Sequence, residues 1–235
     1  MQDMGVISEH REYEYSVNPS FLTKFLKVML FISIGTTVLL LISNFMQFEL
    51  VSSGTITKSS ADANDTRQHF LSILRLAIFI VTSITFLMWI YRANKNAQGF
   101  SSKTLEFTPG WAVGYFFIPV VSLYLPYRAM REIWRVSAAP DHWRTQPGSA
   151  LLQWWWAVWL ASNFSGFAAA RFSMHIKSLA DIQHATIASI LSNCINILAY
   201  ILALSVVVAI STKQRKLVDE GSGNSFDADG LATNN

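Results

Sequence analysis

Four polar side chains lie inside long apolar segments of this sequence, where polar groups are costly. They are Arg75, Asn163, Asn193 and Asn196. A guanidinium carries a permanent charge and several N–H donors, and a carboxamide both donates and accepts, so together they can line a polar vestibule. Ionisable groups in apolar segments indicate function by default. The alternatives are hydrogen bonds between helices, worth about 0.6 kcal/mol each, and an arginine that reaches outward to water.

No pattern in the sequence predicts catalysis. It has no nucleophile elbow, phosphate-binding glycine loop, H-E-x-x-H helix or dinucleotide fingerprint, and no carboxylate pair in an apolar segment. The candidate metal ligands nearest these segments are His69, His175, Asp181 and His184. Their spacing does not indicate the three or four converging ligands that a metal site needs. We therefore expect no catalytic residue, no cofactor, no metal and no enzymatic activity.

The composition is typical of a membrane protein. Hydrophobic residues make up 51% of the 235 residues, only 14% are charged, and the mean hydropathy is +0.32. Several apolar spans explain these values, whereas a soluble domain does not. The net charge of +3 is small, and no basic tract alternates with aromatic residues, which argues against nucleic-acid binding.

Apolar runs of helical length predict four membrane spans, since a span needs about 20 residues. The runs cover residues 25–45, 70–91, 150–170 and 186–210, with a polar loop at about residues 47–69. The predicted organisation is a polar N-terminal segment (1–20), a helical membrane domain (21–212) and a disordered polar tail (213–235). Within the third run, Ser162, Gly166 and Ala170 form a row of small residues on which a helix of this chain or of a partner can pack closely.

Residues 108–134 form a further apolar stretch that either crosses the membrane or enters and returns. Pro109 and Gly110 can start a helix, but Pro119 interrupts it after two to three turns, and Pro126 interrupts the chain again after "VVSLYL". Backbone that is not helical at membrane depth must be satisfied by other protein or by water. A re-entrant hairpin packed against the four spans meets that condition, whereas a kinked fifth span is the alternative.

The distribution of cations favours the hairpin. With a cytoplasmic N-terminus and a hairpin, the cytoplasmic side holds thirteen cations: Arg11, Lys24, Lys27, Arg92, Lys95, Lys103, Arg128, Arg131, Arg135, Arg144, Lys213, Arg215 and Lys216. The outer side holds four, Lys58, Arg67, Arg171 and Lys177, and Arg75 lies within a span. If the stretch crosses, the split becomes eight inside and nine outside. Because cytoplasmic loops carry an excess of Lys and Arg, we expect both termini in the cytoplasm, and the four polar side chains in the outer half of the membrane.

The end of this stretch predicts an amphipathic helix over residues 127–138. Arg128, Arg131, Glu132 and Arg135 share one face, and the opposite face is apolar, with Trp134 on it. Such a helix is typical of the membrane interface, where Arg128, Arg131 and Arg135 would meet anionic lipid head groups. The alternative is that these cations only set the orientation of the chain.

The stretches "WIYRANKNA" and "TPGWAVGYFFIPVVSLYLPYRAMREIWRVS" resemble a family of bacterial membrane proteins known as domain of unknown function 4328. The matching positions are Trp89, Tyr91, Arg92, Asn96, Thr108 to Gly114, Phe117, Ile118, Pro119, Pro126, Tyr127 and Met130 to Trp134. The hairpin motif of this chain is then Pro109, Gly110, Pro119, Ser122 and Pro126, with Ser122 standing where the family usually has Asn. The resemblance implies a bacterial inner-membrane protein whose family domain extends from about the second span to the last. It implies no activity, ligand or catalytic residue.

Two functions are compatible with these features. The first is a non-enzymatic scaffold or regulatory protein that binds membrane lipids, a protein partner or further copies of itself. It follows from the basic helix, the small-residue row and the lack of catalytic motifs. The second is a small transporter or channel component, in which Arg75, Asn163, Asn193 and Asn196 line a polar vestibule on the outer side, above the hairpin.

Overall fold

A computed structural model describes residues 13–232, with side chains described through residue 220. Over this part of the chain the secondary structure is entirely helical, which confirms the predicted all-α fold. The helices are α1 (Ser20–Ser52), α2 (Lys58–Phe100), α3 (Pro109–Gly114), α4 (Leu125–Ala138), α5 (Ala150–Ser173) and α6 (Leu179–Ala232). Three short 3-10 turns lie between them, at Tyr115–Phe117, Val121–Leu123 and Trp143–Thr145.

Three of the four predicted spans have the length and hydropathy of membrane-crossing helices. They are α1, α2 and the Leu179–Glu220 part of α6. Helix α5 has 24 residues, which is long enough to cross, but it is not among the three. Its four tryptophans, together with Gln153 and Asn163, make it less hydropathic than the other helices.

The helices extend further than the apolar runs, and the predicted loop at residues 47–69 is wrong. Only residues 53–57 separate α1 from α2. A capping box formed by Thr57 and Ser60 starts α2 early. Beyond the apolar zone the two helices are joined by polar contacts. Arg67 donates from Nε to Ser43 Oγ at 2.9 Å, and the Asn64 amide donates to Gln47 Oε1 at 3.2 Å.

At the other end, α2 and α6 also run beyond their apolar segments. Helix α2 continues to Phe100, and α6 continues through residues 213–220, the beginning of the tail predicted to be disordered. Gln214 in this extension is 2% exposed, and its Nε2 donates to Ala93 O at 3.0 Å and to Ser137 Oγ at 3.2 Å. These contacts with α2 and α4 stabilise the helical extension, and the sequence of the tail alone does not reveal them.

The four long helices form a bundle in which neighbours α1 and α2, α1 and α6, and α5 and α6 pack together. Contacts between α1 and α2 pair Ser33 with Thr82 and Ser43 with Arg67, an antiparallel register. Helix α6 runs parallel to α2, because Arg75 contacts Asn193 and Trp89 contacts Ser211. The ends of the bundle are called here the proximal end, where α2 ends and α5 begins, and the distal end, where the loops at 53–57 and 174–178 lie.

The segment between α2 and α5 therefore starts and finishes at the proximal end of the bundle. Thr108 caps α3, with its hydroxyl accepting the Trp111 N–H at 3.4 Å, and Pro109 occupies the first turn as predicted. After Pro119 the backbone reverses at Val120, which has φ 67° and ψ −51°, and the Val121 N–H donates to Pro119 O at 2.8 Å. This geometry is a strained γ-turn. Helix α4 then begins with Pro126 in its first turn.

The reversal exposes an apolar tip. Phe117, Val120, Leu123 and Tyr124 are all exposed, with Val120 at 80%. Backbone hydrogen bonds hold the turn, including Ser122 N–H to Ile118 O at 2.8 Å. The tip is tied to α5 by Trp156, whose Nε1 donates to Leu123 O at 3.1 Å.

The helical part of the prediction for residues 127–138 is confirmed by α4, but Glu132 does not share a solvated face with the arginines. Glu132 is 5% exposed. Its carboxylate accepts the Glu106 N–H at 2.7 Å and the Phe107 N–H at 3.1 Å. Burial raises the pKa of Glu132, although these two hydrogen bonds act in the opposite direction.

The three arginines of α4 are half-buried, and the apolar side of the helix packs on the protein itself. Met130 and Ile133 are fully buried in the main core. Arg128 makes a bidentate ion pair with Glu106 at 2.7 Å and lies 5.6 Å from the centre of the Phe107 ring. Arg131 lies over the Tyr127 ring at 5.8 Å, and Arg135 Nε is buried with no hydrogen-bond partner in the described part of the chain.

Candidate functional site

A cavity of about 260 Å³ lies between α2 and α5, with α6 as its floor, and is called here the α2–α5 cleft. Its polar lining consists of Arg75, Thr82, Ser83, Ser162, Asn163, Asn196 and Tyr200. Its apolar lining consists of Leu30, Phe79, Phe86, Trp155, Trp159, Gly166, Ala199 and Ala203. Three of the four polar residues singled out from the sequence therefore line one cavity.

The fourth residue, Asn193, lies behind the cleft and orients Arg75. The Arg75 guanidinium donates from NH1 to Asn193 Oδ1 at 3.2 Å, and Asn193 is only 2% exposed. Arg75 makes no ion pair within the part of the chain that the structure describes. A neutral amide cannot neutralise its charge, so the cleft retains a positive centre with further N–H groups available.

The two remaining asparagines use their amide N–H groups within their own helices. Asn163 donates to Trp159 O at 2.7 Å, and Asn196 donates to Ser192 O at 2.8 Å. Neither amide oxygen accepts a hydrogen bond from another described residue. Because these oxygens belong to cleft-lining side chains, the cleft offers acceptors as well as the donors of Arg75, which suits a head group that carries both an anionic and a hydroxyl or amino function.

The proximal half of the cleft is aromatic. Phe86 contacts Trp155 with ring centres 5.9 Å apart, and Trp156 stacks on Trp159 at 4.7 Å. Arg75 lies eleven residues before Phe86 on α2, a rise of about 16 Å along a helix. A ligand in the cleft would thus meet charge and amides at one end and aromatic rings at the other.

The cleft opens sideways between two helices. Along the described part of the chain, α2 and α5 do not pack on each other as α5 packs on α6, and the rings of Phe86 and Trp155 close the gap at one end only. Phe79 in the α2 wall is 53% exposed. The mouth therefore faces the surface that lipid would cover if α2 and α5 both cross a membrane.

The small-residue row lies at this cleft and at the junction of α5 with α6. Ser162 is 8% exposed, and a Cβ added to Gly166 would lie 3.8 Å from Ser192 Oγ. Ser165 and Ser192 are also in contact, with their hydroxyl oxygens 3.4 Å apart. The part of the row formed by Ser162 and Gly166 packs within this chain, whereas Ala170 is exposed.

No group of three or more potential metal ligands lies together among the described residues. His175 and Asp181, near the distal loop, have local contacts instead. His175 Nδ1 is 2.8 Å from Arg171 O, and Asp181 accepts from the Lys177 N–H at 3.0 Å and from the Ser178 hydroxyl at 2.8 Å. Asp181 therefore organises the start of α6.

A family model for a domain of unknown function, DUF4328, matches residues 52–212. The chain belongs to this family. The match begins at the end of α1 and ends within α6, as the resemblance predicts, so the DUF4328 domain holds both walls and the floor of the cleft. No curated protein and no solved structure matches the chain.

Several residues at positions of the family motifs fasten the N-terminal segment to the DUF4328 domain, a role that the sequence analysis missed. Asn96 is fully buried, accepts the Val17 N–H at 2.8 Å and donates to Val17 O at 3.0 Å. Arg92 donates to Asn18 O at 3.1 Å. The buried indole of Trp89 donates to Ser211 Oγ at 3.3 Å and so joins α2 to α6. The available signal for this role was Asn96, an asparagine in an otherwise cationic stretch, but its partner Val17 lies 79 residues away in the sequence.

Proposed function

We propose that this protein is a non-enzymatic membrane protein that binds the polar head of a lipid-like molecule in the α2–α5 cleft. The observation that carries the proposal is Arg75, a half-buried cation whose hydrogen-bond partner is a neutral amide. A charge kept inside an apolar bundle without a counter-ion is costly, and an anionic head group would offset that cost. Such binding fits a regulatory or scaffold role in the membrane better than it fits chemistry, because the cleft lining offers its hydroxyl groups no histidine or carboxylate that could act as a base.

The shape of the cleft supports an amphiphilic ligand. Its volume of about 260 Å³ is small for a whole drug-sized ligand but adequate for a head group and the first part of a chain. The aromatic wall formed by Phe79, Phe86, Trp155 and Trp159 offers the apolar half of the contact. The sideways mouth allows the rest of the molecule to remain among the membrane lipids.

The associated topology is four spans, α1, α2, α5 and α6, in the bacterial inner membrane with both termini in the cytoplasm. Its support is that the segment from residue 101 to residue 149 leaves and rejoins the bundle at the same end. A single crossing by that segment would require α2 to end and α5 to begin on opposite sides. The proximal end also carries most of the loop cations, which is typical of the cytoplasmic side. The exposed apolar tip around Val120 then dips into the inner leaflet as the re-entrant element.

Lipid retention by purified protein tests the binding proposal. The full chain is extracted in mild detergent, and lipids that remain bound are quantified per protein by mass spectrometry. We expect Arg75→Gln to retain about tenfold less of the bound species, since a hydrogen bond to a charged group contributes about 1.5–3 kcal/mol. Gly166→Leu should have a similar effect because the added leucine side chain would occupy the space between the cleft wall and Ser192 of α6.

The matched control is Arg171→Gln, which removes an exposed cation near the distal loop and outside the cleft. It should retain lipid like the wild type. Size-exclusion profiles identify variants that fail to fold. Equal retention by the wild type, Arg75→Gln and Gly166→Leu would show that the cleft does not hold a lipid-like ligand.

A transporter or channel component is the second candidate function, and the combination of Arg75, Asn163 and Asn196 in one cavity above a hairpin favours it. In that case the cleft would pass its ligand across the membrane as well as hold it. Reconstituted vesicles that show flux of a polar solute, lost in Arg75→Gln and retained in Arg171→Gln, would establish transport. Binding without flux would support the regulatory function.

Cysteine accessibility tests the topology. In a Cys194→Ala background, single cysteines are placed at Ser102, Ser149 and Ser178, and intact cells are labelled with an impermeant thiol reagent. Ser102 and Ser149 flank the hairpin segment at the proximal end, and Ser178 lies in the exposed distal loop. Only Ser178→Cys should react. Labelling of Ser149→Cys without Ser178→Cys would mean that the hairpin segment crosses the membrane.

A further inference from the structure

A second pocket, of about 140 Å³, lies between α1 and α6 at the proximal end of the bundle. It is called here the proximal pocket, and its main lining residues are Ser20, Thr23, Lys24, Lys27, Ser211 and Arg215. The antiparallel packing of α1 against α6 brings these two groups together, although they are far apart in the sequence. The pocket shares no lining residue with the α2–α5 cleft.

Three cations border the pocket. Lys24 and Lys27 come from the N-terminal turns of α1, and Arg215 comes from the part of α6 that follows its apolar segment. Within the described part of the chain, none of the three forms an ion pair or a hydrogen bond. Tyr15 also lines the pocket. The charges of Arg215 and Asp219 both act on its hydroxyl group, so the Asp219 carboxylate lies near the pocket. Among the residues that line the pocket, three are cations and none is a carboxylate, so the lining is positive.

Hydroxyl groups and a helix terminus add neutral donors. Thr23 is 7% exposed, and its Oγ1 is buried with no hydrogen-bond partner among the described residues. A buried hydroxyl without a partner is costly unless a ligand or water supplies one. The pocket also lies at the N-terminus of α1, where Pro19 as N-cap makes no side-chain cap. Asn18 Oδ1 accepts the Ser20 N–H there at 2.9 Å, and the helix dipole favours an anion at this position.

The outer surface of the bundle around the pocket is apolar. Phe21 is 77% exposed, Val28 is 54% exposed and Val208 is 41% exposed, and the rings of Phe21 and Phe25 stack 6.3 Å apart. Basic pockets between spans, close to such a surface, suit lipid head groups with their acyl chains alongside. From this combination we propose that the proximal pocket binds the phosphate of an anionic phospholipid. This phosphate site is separate from the α2–α5 cleft.

Titration of the full chain in detergent with dioleoyl phosphatidylglycerol, followed by native mass spectrometry, tests the proposal. The variant combines Lys24→Gln, Lys27→Gln and Arg215→Gln. Its apparent Kd should rise at least about tenfold, since each cation near anionic lipid contributes to binding. The control combines Lys58→Gln, Arg171→Gln and Lys177→Gln, three exposed cations at the distal end, and should bind like the wild type. Phosphatidylcholine, which has no net charge, should bind weakly to all three proteins.

A gentler variant protects the test against misfolding. Thr23→Val keeps the shape of the side chain but removes the unpartnered hydroxyl, and should weaken phosphatidylglycerol binding several-fold without changing the size-exclusion profile. Phosphatidylglycerol binding that persists in Arg75→Gln and is lost in the triple proximal variant would assign the lipid to the proximal pocket, whereas binding lost in Arg75→Gln and kept in the triple variant would assign it to the cleft and overturn the proposal. Displacement of the lipid by millimolar inorganic phosphate would support the phosphate site and assign it to a soluble ligand. Equal phosphatidylglycerol affinity in the wild type and the triple proximal variant would overturn the proposal.

Discussion

Replacing Glu132 with alanine should loosen the loop that leads into the hairpin. The Glu132 carboxylate is the acceptor for two successive backbone N–H groups, those of Glu106 and Phe107. Phe107 is 4% exposed, so water cannot easily replace the lost acceptor at its N–H. The Glu106 side chain is exposed, and its N–H is easier to hydrate.

The expected magnitude follows from these two donors. An unsatisfied buried donor costs about 1–3 kcal/mol, and the loss of a partly hydrated bond costs about 0.5–1.5 kcal/mol. Removing a carboxylate that is costly to bury recovers part of this loss. The net loss is about 2 kcal/mol of local stability, which corresponds to roughly a thirtyfold increase in the open population of the loop.

Hydrogen–deuterium exchange, measured by mass spectrometry on peptides that cover residues 101–108, reports this opening directly. The pH dependence has a defined sign because the pKa of Glu132 is raised above its ordinary value of 4.5. The stability that Glu132 contributes is fully present below that value and declines as pH rises through the folded-state pKa. After correction for intrinsic exchange, the advantage of the wild type over Glu132→Ala should be larger at pH 5 than at pH 8.

The matched control is Glu106→Ala, since Glu106 forms its ion pair with Arg128 at the surface. Exposed pairs contribute about 0–1 kcal/mol, so exchange in this variant should change little. Exchange in Glu132→Ala that matches the wild type would refute the inference that Glu132 clamps the loop. An advantage that grows from pH 5 to pH 8 would refute the role assigned to burial.

Two further predictions concern the N-terminal segment and the hairpin turn. Asn96→Ala should release residues 13–19 from the bundle, because it removes both hydrogen bonds to Val17. Chymotrypsin should then cleave this segment faster than in the wild type. Lys95→Ala, which changes an exposed neighbouring residue, should leave the cleavage rate unchanged. Val120→Gly should melt at a higher temperature than Val120→Ala, since a positive φ costs a residue with a Cβ about 1–3 kcal/mol and glycine avoids that cost. A Val120→Ala variant that is as stable as Val120→Gly would indicate an unstrained turn.

Periodicity and hydropathy were sufficient to predict the helices, since each depends on residues close together in the chain. The prediction that Pro109 starts a helix and that the chain breaks near Pro119 is confirmed, because proline acts on its own backbone. The cation count led to the prediction that Arg75 and the asparagines lie in the same half of the bundle, and in the structure Arg75, Asn163 and Asn196 line one cavity. That grouping follows from helix direction, which the loop charges indicate.

Long-range contacts could not be predicted in the same way. Glu132 has helical spacing with three arginines, which indicates a solvated face, yet the loop at residues 106–107 folds over it and supplies two donors. Likewise, α1 and α2 continue beyond their apolar segments because Arg67, Asn64 and Gln47 bind across the helix pair. One sequence carries no information on such pairs until the fold brings them together.

The hairpin and the cleft are parts of one arrangement. Phe116, which precedes the turn, contacts Trp156 at 6.3 Å and Trp159 at 6.0 Å, and Trp156 also holds the turn through Leu123 O. Trp159 in turn lines the cleft. The backbone reversal at Val120 therefore supports the aromatic wall from the proximal side and leaves the polar end near Arg75 open. Because the chain turns back at this strained position, the segment ends beside the aromatic wall of the cleft and does not continue past it.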